Sequence, residues 1–134
     1  MYHWGGKDGT APLAAAIHLG YLPPRVGTEE ELRILRRQFL PFVQGLKSAV
    51  AVGILHHMGE GKKGEDVFIL ATGKKTDLLL KTLTNILPLL GEDPLHYHFI
   101  NCQTYMIQKA QTDLDPCGWY NQIGQMVRQV QKGL

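Results

Sequence analysis

The stretch Tyr2-His3-Trp4-Gly5-Gly6-Lys7-Asp8-Gly9-Thr10-Ala11-Pro12, running on through Leu13-Ala14-Ala15-Ala16-Ile17-His18-Leu19-Gly20, decides the fold. It reads as a short strand, a glycine-rich loop and a helix, a P-loop-like start. Gly5, Gly6 and Gly9 free the backbone for positive φ and let a ligand come close. Thr10 offers a side-chain cap, Pro12 falls in the first turn, where a missing N–H costs nothing, and Gly20 closes the helix. The run of alanines lets that helix lie near a sheet. Its first turn presents unpaired N–H groups and a partial positive charge, which suit an anion. Lys7 adds a full charge and Thr10 a hydroxyl. The plainer alternative is that the glycines only make a tight strand-to-helix turn.

The spacing is not that of Walker A, because Lys7 is followed by Asp8 rather than by Ser or Thr. Asp8 puts a carboxylate inside the loop, which repels phosphate unless Lys7 or a metal offsets it. A second string, Gly73-Lys74-Lys75-Thr76, also precedes a helix, but the residue five before Gly73 is Phe68, so it fails the same pattern.

The string YHWGGKDGTAPLAAAIHLGYLP resembles the opening of a small uncharacterised family of spore-forming, mostly anaerobic bacteria. Members begin with a strand ending in Tyr-His, a Gly-Gly loop with a small hydroxyl residue, and an AAAIHLGxLP helix. The likeness rests on Tyr2, His3, the glycines, Thr10, Ala14 to Leu19 and Leu22-Pro23. A weaker echo runs through the central hairpin and Phe99-Ile100-Asn101. Members often carry a histidine where this loop has Asp8 or Gly9, and the resemblance implies no activity.

At 134 residues the chain is long enough for one domain with a real core. A formal charge of +2 is too balanced for a nucleic-acid partner, which calls for a clustered basic face. No apolar run reaches membrane-spanning length, and no charged-then-apolar leader is visible, so a cytoplasmic protein without membrane contact is expected. Two cysteines make no disulfide framework.

Further along, Tyr21 to Gly27 is a proline-rich connection. Thr28-Glu29-Glu30-Glu31 forms a capping box for a helix that Pro41 should end, with Arg33, Arg36 and Arg37 read as a solvated face, the alternative being a basic patch for a phosphate ligand or acidic partner. Ser48 to Met58 reads as a strand covered on both faces, followed by a polar loop and a second strand, Asp66 to Ala71, together a β-hairpin. Adjacent His56 and His57 point to opposite faces. Thr76 to Leu87 is a helix, with a kink expected at Pro88. His96 to Cys102 is a last strand. His96 and His98 share one face of it, but no third ligand stands nearby, so no metal site is assigned. Cys102 is most simply a small buried hydrophobe. A helix covers 104–112, and Asp115-Pro116 starts a final one to about Lys132, with Trp119, Ile123, Met126, Val127 and Val130 as its apolar stripe.

These elements make an α/β fold of three layers, with a mixed, mostly parallel sheet of about four strands and a hairpin. The first and last strands are expected as parallel central neighbours. Ligands of such sheets sit at the carboxyl ends of the strands. The leading expectation is a protein that binds a small phosphate-bearing ligand or nucleotide through Gly5, Gly6, Lys7, Gly9, Thr10 and Asn101. His3 is the candidate acid or base, and Mg2+ would accompany a nucleotide. The rival is a non-enzymatic interaction module or homodimer, in which the loop is only a turn.

Overall fold

A computed structural model of the chain describes residues 1–5, 9–49, 52–93, 96–102 and 116–134. Four strands and four helices lie among them: β1 (Tyr2–Trp4), α1 (Thr10–His18), α2 (Glu29–Ala49), β2 (Leu55–Glu60), β3 (Asp66–Ala71), α3 (Thr76–Leu89), β4 (Ile100–Asn101) and α4 (Pro116–Lys132). The sheet order is β2-β3-β1-β4, with β1 parallel to both β3 and β4, and β2 antiparallel to β3. The mixed, mostly parallel α/β sheet is therefore present. β1 lies in its interior and β4 at its edge, so the first and last strands are parallel neighbours but not both central.

Alternation along the strands divides the sheet into two faces. Tyr2 and Trp4 share one face with Val67, Ile69 and Ala71, all buried. α1 packs on that face, and α4 packs in turn on α1 and α2. Every residue of α1 is buried, which explains its alanines: larger side chains would hold it away from both the sheet and α4. α4 contributes Ile123, Met126 and Val127, with Trp119 and Val130 at the margin. Tyr120 is also buried, and its hydroxyl donates to Pro23 O at 2.5 Å.

The proline-rich connection is held to α4 by unusually local means. Asn121 accepts from Val26 N–H at 2.8 Å and donates to Val26 C=O at 3.0 Å, replacing a strand partner with one amide side chain. Beside it, a Cβ on Gly124 would stand 1.7 Å from Pro24 O, so only glycine admits this approach of helix and loop. Gly20, at φ 82°, ends α1 in a Schellman turn: its N–H reaches Ile17 O and Tyr21 N–H reaches Ala16 O.

Three expectations are corrected. Pro41 does not end α2, which runs on to Ala49. A proline forfeits one helical bond and bends the axis, but it does not oblige the chain to stop. Ser48 and Ala49 therefore belong to that helix, and the strand begins only at Leu55. It is a half-exposed edge strand rather than one covered on both faces. Likewise the last strand is two residues, Ile100–Asn101, so His96 and His98 lie before it. Pro88 sits inside α3 near its end, and Gly91, at φ 79°, closes the helix after Leu90. The cap forms with a displaced return bond: Thr28 Oγ accepts from Glu31 N–H at 3.2 Å, while the Glu31 carboxylate takes the N–H of Gly27, one residue before the cap, at 3.0 Å. Arg33 pairs with Glu30, as a solvated face would. The expected helix over 104–112 lies outside the described residues.

Candidate functional site

The carboxyl ends of β3, β1 and β4 finish level. Trp4 stands opposite Ala71, and His3 stands between Leu70 and Asn101. Each strand leads from this edge into a connection: Gly5 to Gly9 after β1, Thr72 to Lys75 after β3, and Cys102 after β4. Thr72 ties two of these together, donating to Trp4 O from its N–H at 2.8 Å and from its hydroxyl at 3.1 Å. The same hydroxyl lies 2.8 Å from Thr76 Oγ at the start of α3. The string Gly73-Lys74-Lys75-Thr76 thus sits beside the end of β1, with Lys74 and Lys75 exposed.

Gly9 is the N-cap of α1, with φ −95° and no side-chain cap bond. Two expectations change accordingly. Gly9 does not adopt positive φ, and Thr10 is the first helical residue rather than the cap, buried at 2% exposure. Gly5 is half-buried, as is Asn101, whereas Gly6 and Lys7 lie outside the described residues. His3 is buried, and its Nδ1 has no partner among the described residues. Burial, reinforced by the nearby amino terminus, holds the His3 pKa below its ordinary value, so the imidazole is neutral. Trp4 belongs to the core rather than to the edge. Cys102 is fully buried, as a small hydrophobe would be.

The opposite, amino edge carries a feature the sequence did not announce. Tyr2 OH lies 2.8 Å from His18 Nδ1, and His18 Nε2 lies 2.8 Å from Glu65 Oε1. A carboxylate only accepts, so Nε2 carries the proton and Nδ1 accepts from the phenol. The chain joins the start of β1, the end of α1 and the hairpin tip. Glu65 Oε2 also accepts from Lys63 N–H, Lys63 Nζ donates to Gln131 O and Leu134 O, and Gln131 donates to His18 O. The hydrogen bond from His18 holds the Glu65 carboxyl below its usual pKa, while burial pushes the Tyr2 phenol well above its own. Cavities of about 480 and 630 Å3 flank the His18–Glu65 pair. The available signal was one histidine in a helix of otherwise small and apolar residues: such a group, once buried, needs partners on both nitrogens.

On β2, His57 pairs with Asp66 at 3.0 Å and lies against the Phe68 ring, while the neighbouring His56 faces the other way. Among the described residues no group of three His, Cys, Asp or Glu side chains is placed to hold a metal, and no helix is long and apolar enough to cross a membrane.

Fold and edge together define an α/β protein with a mixed, mostly parallel sheet, whose first strand is followed in the chain by a buried helix. Residues 1–111 match the family model "Protein of unknown function (DUF3189)", and the chain belongs to that family. Neither curated proteins nor solved structures give a match.

Proposed function

We propose that the carboxyl edge of the sheet binds a small phosphate-bearing ligand, with the loop from Gly5 to Thr10 as its cradle. The observation that carries the reading is the level ending of three adjacent parallel strands, two of which are followed in the chain by helices α1 and α3. The start of α1 has no acidic residue in its first turn, and its N-cap, Gly9, has no side chain with which to cap it, an arrangement that suits an anion. Lys7 on one loop and Lys74 and Lys75 on the next supply compensating charge. A neutral His3 would act as acid or base if the ligand is transformed, and Mg2+ would accompany a nucleotide. Asn101, at the end of β4, closes the third side.

The test is a thermal-shift titration with phosphate, mono-, di- and triphosphate nucleosides, each with and without Mg2+. A ligand at 100 times its dissociation constant adds about 2.7 kcal/mol. Lys7→Ala should leave the unfolding midpoint of the free protein unchanged and lower ligand affinity about tenfold or more, the scale of one charge-assisted contact. No stabilisation by any of these compounds refutes the proposal.

A further inference from the structure

Helix α3 is strongly apolar, yet none of its residues is buried. Around its axis Leu79, Leu80, Leu83 and Leu87 are half-buried, while Leu78, Ile86 and Leu89 form an exposed strip beside them, extended by Leu90. Leu89 is 84% and Leu90 71% exposed, among the highest values for any large apolar side chain described. The strip is continuous with a second apolar segment. Val52 lies within reach of Gly73, just before α3, and Gly53 lies beside Leu79; Ile54 and Leu55 follow, both exposed.

We propose that this face, α3 together with Val52, Ile54 and Leu55, is the interface of a symmetric homodimer. Two properties of the surface select a second copy over other occupants. The first is size: seven Leu, Ile and Val side chains, each more or less half exposed, offer on the order of 700 Å2, close to the roughly 800 Å2 per partner of a stable interface. The second is composition. The strip is mainly aliphatic, with the exposed but uncharged Thr82 and Asn85 among its leucines and isoleucine, and homodimer interfaces are the more apolar class. A two-fold axis presents the same patch on both subunits, so an uncharged, mainly aliphatic strip is complementary to itself. The charged residues of α3, Asp77 and Lys81, are exposed on the side of the helix beyond Leu78, which leaves them at the rim, while Asn85 lies between Leu78 and Leu89.

The experiment is sedimentation equilibrium of the full chain from about 1 to 100 μM, repeated on Leu78→Glu/Leu89→Glu. The expected result is a dimer for the parent and a monomer for the variant, with unchanged circular dichroism, since neither side chain is buried. A parent that stays monomeric at 100 μM overturns the proposal, whatever the variant does. So does a folded variant that still dimerises, because the interface would then lie elsewhere. Flotation of a monomeric parent with phosphatidylcholine vesicles would assign the face to lipid and equally overturn it. Should the double variant fail to fold, Leu90→Lys, at the end of the helix, gives the same comparison.

Discussion

Replacing His18 by alanine is expected to cost about 2–4 kcal/mol, most of it from a group the mutation does not touch. The Tyr2 phenol is buried beneath α1, and its described hydrogen-bond partner is His18 Nδ1. Without the imidazole it becomes a buried donor with nothing to donate to, a penalty of about 1–3 kcal/mol. Loss of the ring's own packing adds on the order of 1 kcal/mol. Glu65 contributes less, because its side chain retains 19% exposure and can turn to water. Tyr2→Phe is the milder change, about 1–2 kcal/mol. It leaves Nδ1 unpaired but keeps the ring and the bond from Nε2 to Glu65. If these estimates come from one shared hydrogen bond, the double variant should be less damaging than the sum of the singles. Each single pays for an orphaned partner that the double no longer contains. The expected coupling is about 1–2 kcal/mol, measured by urea unfolding of all four proteins. Additivity within about 0.5 kcal/mol would mean that the phenol and imidazole do not act as a pair, and the reasoning from geometry to energy would fail.

Other outcomes follow from the same contacts. Gly124→Ala should be among the most destabilising single-atom additions in the chain, by about 3 kcal/mol, because its Cβ meets the backbone of Pro24 rather than a movable side chain; a calorimetric melt checks it. Gly9→Ala, at φ −95°, should lower stability by less than about 1 kcal/mol, whereas Gly20→Ala, at φ 82°, should cost more than that, and paired urea titrations compare them. Burial raises the Tyr120 phenol to about 12 in the folded protein. The unfolded chain then ionises first, so stability present below about pH 10 is lost as pH rises toward 12, and Tyr120→Phe should flatten that alkaline limb of the unfolding midpoint. For Glu65 the direction is opposite. Its lowered pKa contributes stability above the unfolded value, near pH 4.5, that is lost as pH falls through the folded one, and Glu65→Gln should remove that part of the acid limb.

The parts of the fold legible in the sequence were those governed by local rules. The β1–loop–α1 opening, the hairpin and the final helix each carry a periodicity, a cap or a turn residue that acts within a few positions. The parts that were not legible depend on partners far along the chain. A proline alone does not settle whether a helix ends, as Pro41 inside α2 shows, and where β2 begins depends on its pairing with β3, whose register starts at Leu55. The reason for Gly124 is Pro24, one hundred positions away. The same holds for the site. Gly9 was read as a residue needed for positive φ, but it serves as an N-cap at negative φ, a role many residues tolerate. His18 drew no attention because its meaning lies in Tyr2 and Glu65.

The polar chemistry of the molecule is divided between the two edges of one sheet, and the division bears on where a ligand belongs. At the amino edge the polar groups close on one another: the phenol bonds to imidazole, imidazole to carboxylate, carboxylate to a backbone N–H, and Lys63 to two carbonyls. Each of these bonds would have to break before a ligand could use the atoms in it. The network therefore reads as a clamp that fixes the hairpin tip to α1. At the carboxyl edge the balance is reversed. The N-caps of α1 and α3, Gly9 and Lys75, make no side-chain cap bonds, and exposed lysines stand beside α3. Helix starts beside exposed positive charge are what an anion requires. For that reason the proposed site lies at the edge without the most elaborate hydrogen bonding, and the His18 and Lys7 variants should separate cleanly: the first lowers stability, the second ligand affinity.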